Sequence, residues 1–174
     1  MLSDLWGKEK SEWFLHYIQV LEKYFNVRFY DCRELANIPG NKLSDTKLHT
    51  QFVNGGIERA VEKLLQIENE AFVVLGFSVG GYIAWKACLS GFKTQYLFAV
   101  SSTRLRYETE KPPVRFELFY GENDLFKPEK KWFQQMKIKE NSYPNEEHEL
   151  YQKKEIAEDI CERIIEQIKP NRSG

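Results

Sequence analysis

The chain has 174 residues, of which 42% are hydrophobic and 14% aromatic, and its charged residues (29%) leave a formal net charge of −1. This length fits one domain over residues 1–174, and this composition supplies an apolar core that needs no disulfide or metal. The near-zero charge gives no electrostatic basis for binding nucleic acid or an anionic membrane, so we expect neither as a partner.

The cysteines and the N-terminus bear on the cellular compartment. Cys32, Cys88 and Cys161 lie far apart, form no CxxC pair and join no Cys/His cluster with the spacing of a zinc site. Their odd number indicates reduced thiols, and we therefore expect a cytoplasmic protein without a bound metal. Neither a signal peptide nor an apolar stretch of roughly 20 residues, the length that spans a bilayer, is apparent.

The first half of the chain alternates short β-forming runs with amphipathic stretches whose apolar residues recur every three to four positions. A Gly55-Gly56 pair interrupts the second long amphipathic stretch and is expected to kink it. The predicted elements are a strand over Met1–Asp4, a helix over Lys10–Phe25, a strand over Asn26–Asp31, a loop over Arg33–Lys47 centred on Pro39-Gly40-Asn41, and a helix from about Leu48 to Gln66.

The second half continues the alternation, which predicts a mostly parallel sheet between two layers of helices, an α/β/α sandwich. Ligands of such sheets bind beyond the carboxyl ends of the strands, so functional residues are expected directly after strands. The predicted elements are strands over Ala71–Gly76, Gln95–Ser101, Val114–Tyr120 and Met136–Tyr143, and helices over Val79–Leu89, Pro128–Gln135 and Leu150–Ile168.

A candidate nucleophile lies between a strongly apolar strand and a helix, in the segment Gly76-Phe77-Ser78-Val79-Gly80. This is a G-x-S-x-G motif in the strand–turn–helix context that exposes a serine above a sheet. A nucleotide-binding loop fits less well, because a serine stands where the second glycine of G-x-G-x-x-G is needed. The remaining alternative is an ordinary turn serine.

Two further residue types follow later strands in the order that a serine nucleophile requires. Asp124 comes after the strand Val114–Tyr120, with Glu122 as a weaker candidate in the same loop, and His148 comes after the last predicted strand. Ser, then Asp, then His is the order found in one large class of hydrolases. We therefore predict Ser78 as nucleophile, His148 as general base and Asp124 as the group that orients the histidine.

These motifs resemble the α/β-hydrolase superfamily, and in particular its small serine esterases without a lid, over nearly the whole chain. The resemblance implies a trimmed sheet of about six strands in the order 2-1-3-4-5-6 and no cofactor. It implies cleavage of a small-molecule carboxylic ester or thioester through an acyl-enzyme intermediate. The segment Asp4-Leu5-Trp6-Gly7 is similar to the family's His-Gly-x-Gly stretch, which makes the backbone N–H groups of Val79 and Trp6 the expected oxyanion donors.

The chain departs from the family pattern in its first residues. It begins at what would be the family's third strand, which means a trimmed sheet or a start further upstream. Asp4 stands where the family has histidine, which places an acidic group near the oxyanion site.

The connection Ser102–Pro113 stands where many relatives have a lid, and it is either a solvated loop or a loop that gates substrate entry. Its charged residues include Arg104, Arg106, Glu108 and Glu110. Phe77 and Phe126 are candidates to line an open substrate pocket. Two alternatives remain open, namely a catalytically silent binding module with the hydrolase fold and an acyltransferase that uses the same three residues.

Overall fold

Parallel strands form the centre of the protein, whose computed structural model describes residues 1–39 and 43–168. Each strand pairs in parallel with the next, so their carboxyl ends lie along one edge of the sheet. In spatial order, the strands are β1 (Glu70–Phe77), β2 (Lys93–Val100), β3 (Arg115–Gly121) and β4 (Asn141–Tyr143).

The two predicted N-terminal strands are reduced to single bridges, which corrects the expectation of about six regular strands. Leu2 bridges both Tyr30 and Gly76, and its N–H donates to the Leu75 carbonyl at 2.9 Å. The ladder ends because Asp4 enters a turn and because Asp31 caps a helix with its carboxylate. The predicted order 2-1-3-4-5-6 counts the segments at Leu2 and Tyr30 as the first and second strands, and β1 to β4 as the third to sixth. Because Leu2 lies between Tyr30 and β1, this order is retained.

Seven α-helices in the described ranges flank the sheet, and none of them is long and apolar enough to cross a membrane. The helix predicted over Val79–Leu89 has the predicted bounds. The helices are α1 (Phe14–Leu21), α2 (Cys32–Leu35), α3 (Asp45–Gln51), α4 (Ile57–Ile67), α5 (Val79–Leu89), α6 (Lys130–Met136) and α7 (Lys154–Ile168).

The predicted loop Arg33–Lys47 is wrong at both ends. The Asp31 carboxylate accepts the N–H groups that begin α2, and the Ser44 hydroxyl accepts the Lys47 N–H at the start of α3. These caps allow short helices to form in a segment whose apolar residues do not recur at the spacing typical of a helix. Gly40-Asn41, the centre of that predicted loop, lies outside the described residues.

Other predicted bounds also differ. The strand expected from Met136 begins only at Asn141, because Met136 still belongs to α6 and Lys137 adopts a left-handed conformation that ends the helix. The final helix begins at Lys154 rather than at Leu150.

The kink predicted at Gly55-Gly56 is confirmed. A π-type segment over Phe52–Gly56 separates α3 from α4, and Gly55 has a φ of 91°, which a side chain would strain. The break turns α3 relative to α4.

Side chains of the strands alternate between two apolar layers, one on each face of the sheet. This is the three-layer α/β/α arrangement expected from the sequence. The layer beneath α2 to α6 contains Val74, Leu97, Ala99, Leu118 and Tyr120, and the layer beneath α1 and α7 contains Leu75, Phe77, Phe98, Val100 and Phe119.

A buried hydrogen bond ties α1 to the segment before α7, and its removal is a direct test of this packing. The Tyr17 hydroxyl donates to the Tyr151 carbonyl at 3.0 Å, and Tyr17 is fully buried. We expect Tyr17→Phe to lower the free energy of unfolding, measured in urea, by about 1 to 3 kcal/mol, because the carbonyl loses its partner.

The matched control is Tyr107→Phe. The Tyr107 hydroxyl accepts a hydrogen bond from Arg106 on the surface, so its loss should change the free energy of unfolding by less than about 0.5 kcal/mol. Equal effects of the two substitutions would contradict the role given to the buried bond.

Candidate active site

Ser78 occupies a strained turn between β1 and α5. Its φ of 50° and ψ of −117° are unusual for a residue with a side chain, and its N–H donates to the Val100 carbonyl at 2.8 Å. A β-carbon on Gly76 would lie 2.6 Å from the Gly81 Cα, and one on Gly80 would lie 2.1 Å from the Ser3 carbonyl oxygen. The turn therefore needs glycine at both flanking positions.

His148 reaches the serine from the loop after β4. Its Nε2 lies 3.1 Å from the Ser78 Oγ, and its side chain is 26% exposed. The Ser101 hydroxyl, at the end of β2, donates to the His148 carbonyl at 2.6 Å. This bond fixes the backbone from which the ring projects.

Asp124 completes the chain of contacts from the loop after β3. Its Oδ2 lies 2.8 Å from the His148 Nδ1, and its Oδ1 accepts the Phe126 N–H at 2.9 Å. The carboxylate is almost fully buried. Because a carboxylate only accepts, Nδ1 carries the proton, which leaves Nε2 as the acceptor for the Ser78 hydroxyl.

Contacts between the strand ends support these three side chains. The Ser102 hydroxyl donates to the Ser78 carbonyl at 2.9 Å, and the Tyr120 hydroxyl donates to the Ser102 carbonyl at 3.2 Å. A β-carbon on Gly121 would lie 2.4 Å from the carbonyl oxygens of Glu146 and Glu147. The end of β3 thus packs directly against the segment that precedes His148.

Glu122, the weaker acid candidate, does not approach the histidine. Its carboxylate accepts the Asn145 N–H at 3.3 Å on the surface. Within residues 1–39 and 43–168, no group of three or more His, Cys, Asp or Glu side chains is placed to hold a metal ion.

The predicted role of Trp6 as an oxyanion donor needs correction for the observed arrangement. The Trp6 N–H donates to the Asp4 Oδ1 at 3.0 Å, so this amide already has an acceptor. In the described part of the chain, the N–H groups of Val79 and Leu5 donate to no protein acceptor, and both residues line the cavity beside Ser78. The sequence could not reveal this difference, since it depends on the position of one side-chain oxygen.

Asp4 is buried below the site, where its second oxygen accepts the Tyr151 hydroxyl at 3.1 Å. Desolvation raises the pKa of this carboxyl from 3.8 to about 6, although hydrogen bonds from Trp6, Tyr151 and Gly7 act in the opposite direction. Three donors therefore hold the Asp4 carboxyl, and the charge of a protonated His148 also lowers its pKa.

A cavity of about 50 Å³ opens beside the Ser78 side chain. Most of its lining could not be predicted from the sequence, because the contributing residues come from α3, the segment Phe52–Gly56 and the connection after β2. The cavity is lined by Leu5, His49, Phe52, Val53, Ser78, Val79, Thr103 and Arg104.

The two aromatic residues predicted to line the pocket do not reach this cavity. Phe77 is fully buried on the opposite face of the sheet, where its ring packs edge-on against Trp13 and Tyr17 with centroids 4.7 Å away. Successive strand side chains point to opposite faces, which directs Phe77 away from the side that holds the cavity. Phe126 lies on the surface, with 64% of its area exposed.

Comparisons with known proteins show which solved structures have a similar fold. No protein-family model matches the sequence, and no curated protein matches it at a significant level. A protein of the alpha/beta hydrolase superfamily from Xanthomonas campestris pv. campestris is 17% identical, with a TM-score of 0.63 and 96% of each chain covered.

Two further structures carry more specific descriptions. A lidless a/b serine hydrolase from Xanthomonas campestris is 11% identical, with a TM-score of 0.52 over 99% of this chain and 83% of that chain. The NocB thioesterase domain, in covalent complex with a fluorophosphonate nocardicin G analogue, is 15% identical, with a TM-score of 0.50 over 97% of this chain and 93% of that chain. At such identities the likeness establishes a shared fold.

The buried Asp4 carboxyl predicts a specific pH dependence of stability. Its folded pKa of about 6 exceeds the unfolded value of 3.8, so the unfolded chain releases this proton first and stability falls as pH rises through that window. The asparagine side chain of the Asp4→Asn variant cannot ionise. Between about pH 4 and pH 7, the free energy of unfolding of this variant should therefore rise relative to the parent, by up to about 3 kcal/mol. Urea unfolding at several pH values measures this difference.

The matched control is Asp45→Asn, which removes an exposed carboxylate from the first turn of α3. A negative charge is favourable at a helix N-terminus, so this variant should gain no stability over the same window. A pH-independent difference between Asp4→Asn and the parent would contradict the burial argument.

Proposed function

We propose that this chain, which has the α/β-hydrolase fold, is a serine hydrolase that cleaves a small-molecule carboxylic ester or thioester. The observation that carries the proposal is the continuous contact from the Ser78 hydroxyl through both ring nitrogens of His148 to the buried Asp124 carboxylate, at 3.1 and 2.8 Å. Few structural roles require a strained serine, an imidazole and a desolvated carboxylate in this order.

The proposed reaction has two halves that return the enzyme to its starting state. The Ser78 Oγ bonds to the carbonyl carbon while His148 Nε2 takes the hydroxyl proton, and the C=O electron pair moves onto oxygen. When this tetrahedral intermediate breaks down, the bond to the alcohol or thiol breaks, and the alcohol or thiol leaves with the proton from Nε2. Water then attacks the acyl-enzyme in the same way, releasing the carboxylic acid and restoring the Ser78 proton.

The Asp124 carboxylate has a distinct part in both halves. It holds the ring with Nε2 directed at Ser78, and it stabilises the imidazolium that forms when Nε2 takes the proton. Because its side chain is only 1% exposed, solvent screens this charge pair weakly.

The oxyanion of each tetrahedral intermediate needs fixed donors. We assign the Val79 N–H as the first donor, because it follows the nucleophile and lies at the N-terminus of α5. The Trp6 N–H can serve only when Asp4 releases it, whereas Leu5 lines the cavity and its N–H has no protein acceptor in the described part of the chain. Leu5 is therefore our candidate for the second donor in the observed arrangement.

The surroundings of the site support a small and accessible substrate. The connection between β2 and β3 holds only a short helical turn over Thr103–Tyr107. Ser78 itself is buried, but 26% of the His148 side chain beside it is exposed. The three cysteines are unpaired and buried, which supports a reducing compartment and hence a cytoplasmic location.

Labelling with a fluorophosphonate probe tests the nucleophile. An activated Ser78 should form a covalent adduct that increases the mass of the intact protein, whereas Ser78→Ala should remain unlabelled. The control is Ser90→Ala, which changes a serine at the end of α5 and should label like the parent. A parent protein that fails to react would favour a catalytically silent binding module.

Replacing the acid tests the chain of contacts beyond the nucleophile. Asp124→Asn should lower kcat for 4-nitrophenyl acetate by about a thousandfold or more, because the amide favours the wrong histidine tautomer. Glu122→Gln, in the same loop but on the surface, should leave kcat unchanged. A larger loss in Glu122→Gln than in Asp124→Asn would transfer the acid role to Glu122.

Product analysis with an added alcohol or amine distinguishes hydrolysis from acyl transfer. A hydrolase should yield mainly the free carboxylic acid at moderate acceptor concentration. Dominant formation of the transferred acyl product would assign the same three residues to an acyltransferase.

A further inference from the structure

The lining of the cavity beside the nucleophile includes an arginine. Arg104 lines this cavity together with Ser78, and its buried Nε has no hydrogen-bond partner. Within the described part of the chain, no carboxylate forms an ion pair with its guanidinium. A buried donor without an acceptor is costly, so a ligand group that accepts from this nitrogen would stabilise the site.

The position of Arg104 is fixed by neighbours that leave its charge unbalanced. Its guanidinium carbon lies 5.4 Å from the ring centroid of Tyr82 and 5.5 Å from that of Tyr107. The nearby Glu108 accepts the Tyr82 hydroxyl at 2.6 Å, and each of its oxygens lies 3.2 Å from the Lys86 Nζ. Since Lys86 already balances Glu108, the charge of Arg104 remains available to a ligand.

The geometry of the reaction decides which part of a substrate faces this cation. The leaving oxygen or sulfur must lie against His148 Nε2, which protonates it. The cavity that contains Arg104 is lined by the proposed oxyanion donors Val79 and Leu5, whereas His148 does not line it. The group that enters the cavity is therefore attached to the acyl side of the carbonyl.

The size and lining of the cavity restrict that acyl group further. A volume of about 50 Å³ admits a chain of only a few carbons. Leu5, Phe52 and Val53 offer apolar contacts to such a chain, and Arg104 offers a planar fork of donors that matches a carboxylate. No acidic side chain lines the cavity to repel a negative charge.

We propose that Arg104 binds a carboxylate on the acyl group, so that the substrates are half-esters or half-thioesters of short dicarboxylic acids. This inference rests on the proposed hydrolase function and names its substrate class. Arg104 would determine specificity through contact with the bound substrate, without taking part in the proton transfers.

A pair of isosteric esters tests the proposal. Ethyl hydrogen succinate carries a carboxylate where ethyl isocaproate carries an isopropyl group, and ethanol release from each is followed by proton NMR. We expect the parent to have the higher kcat/KM for the succinate ester. Arg104→Gln should lower the succinate-to-isocaproate ratio of kcat/KM by about 10-fold to 100-fold, the effect of losing a hydrogen bond to a charged group.

Two variants serve as comparisons. Arg104→Lys retains the charge but not the fork and should recover part of the ratio. Arg115→Gln removes an exposed arginine from the start of β3, at the opposite end of the sheet, and should leave the ratio unchanged. A fall in the ratio of equal size in Arg115→Gln would attribute the preference to overall charge and overturn the role of Arg104.

A measurement on the unaltered protein keeps the test independent of variant folding. Succinate should inhibit hydrolysis of ethyl isocaproate competitively and more strongly than isocaproate itself does. Hydrolysis of ethyl isocaproate without preference for the succinate ester, and without succinate inhibition, would overturn the inference and leave the hydrolase function standing. Failure to hydrolyse either ester or 4-nitrophenyl acetate would instead overturn the proposed function.

Discussion

The turn at Ser78 is the constraint on which the site depends. A serine with a φ of 50° persists only if the surrounding structure holds it, and here two glycines permit backbone contacts that no other residue would allow. The tightest of these contacts joins Gly80 to the Ser3 carbonyl. The packing that holds the nucleophile therefore also brings the N-terminal segment, with Leu5 and Trp6, to the side of the cavity.

The parallel sheet converts separate stretches of sequence into one site. Ser78 follows β1, Asp124 follows β3 and His148 follows β4, and parallel pairing places all three strand ends at the same edge. Packing between Gly121 and the backbone before His148 sets the separation of the last two loops. The contact distances between the three side chains thus follow from backbone packing at the strand ends.

Three charged residues near Ser78 differ in the partners that surround them. Asp124 is buried against an imidazole that can share its charge, whereas Asp4 is buried with neutral donors only, and its pKa is raised to about 6. Arg104 has neither a carboxylate nor an acceptor for its buried Nε. Because guanidinium does not lose its proton, Arg104 stays charged, and this is the charge that we propose binds a carboxylate of the substrate.

The sequence by itself determined the local features of this protein. Small residues around Ser78 predicted the turn, the apolar run before it predicted β1, and the order of Asp124 and His148 after later strands predicted their meeting at one edge. Each of these depends on residue size, periodicity or chain order, which are properties of neighbouring positions.

Only the tertiary structure decided which partners individual groups find. The side of the sheet taken by Phe77, the occupation of the Trp6 amide by Asp4 and the entry of Arg104 into the cavity all depend on segments distant in sequence. Hydrogen-bond partners and burial are set by three-dimensional packing of such segments, so no pattern along the chain contains them.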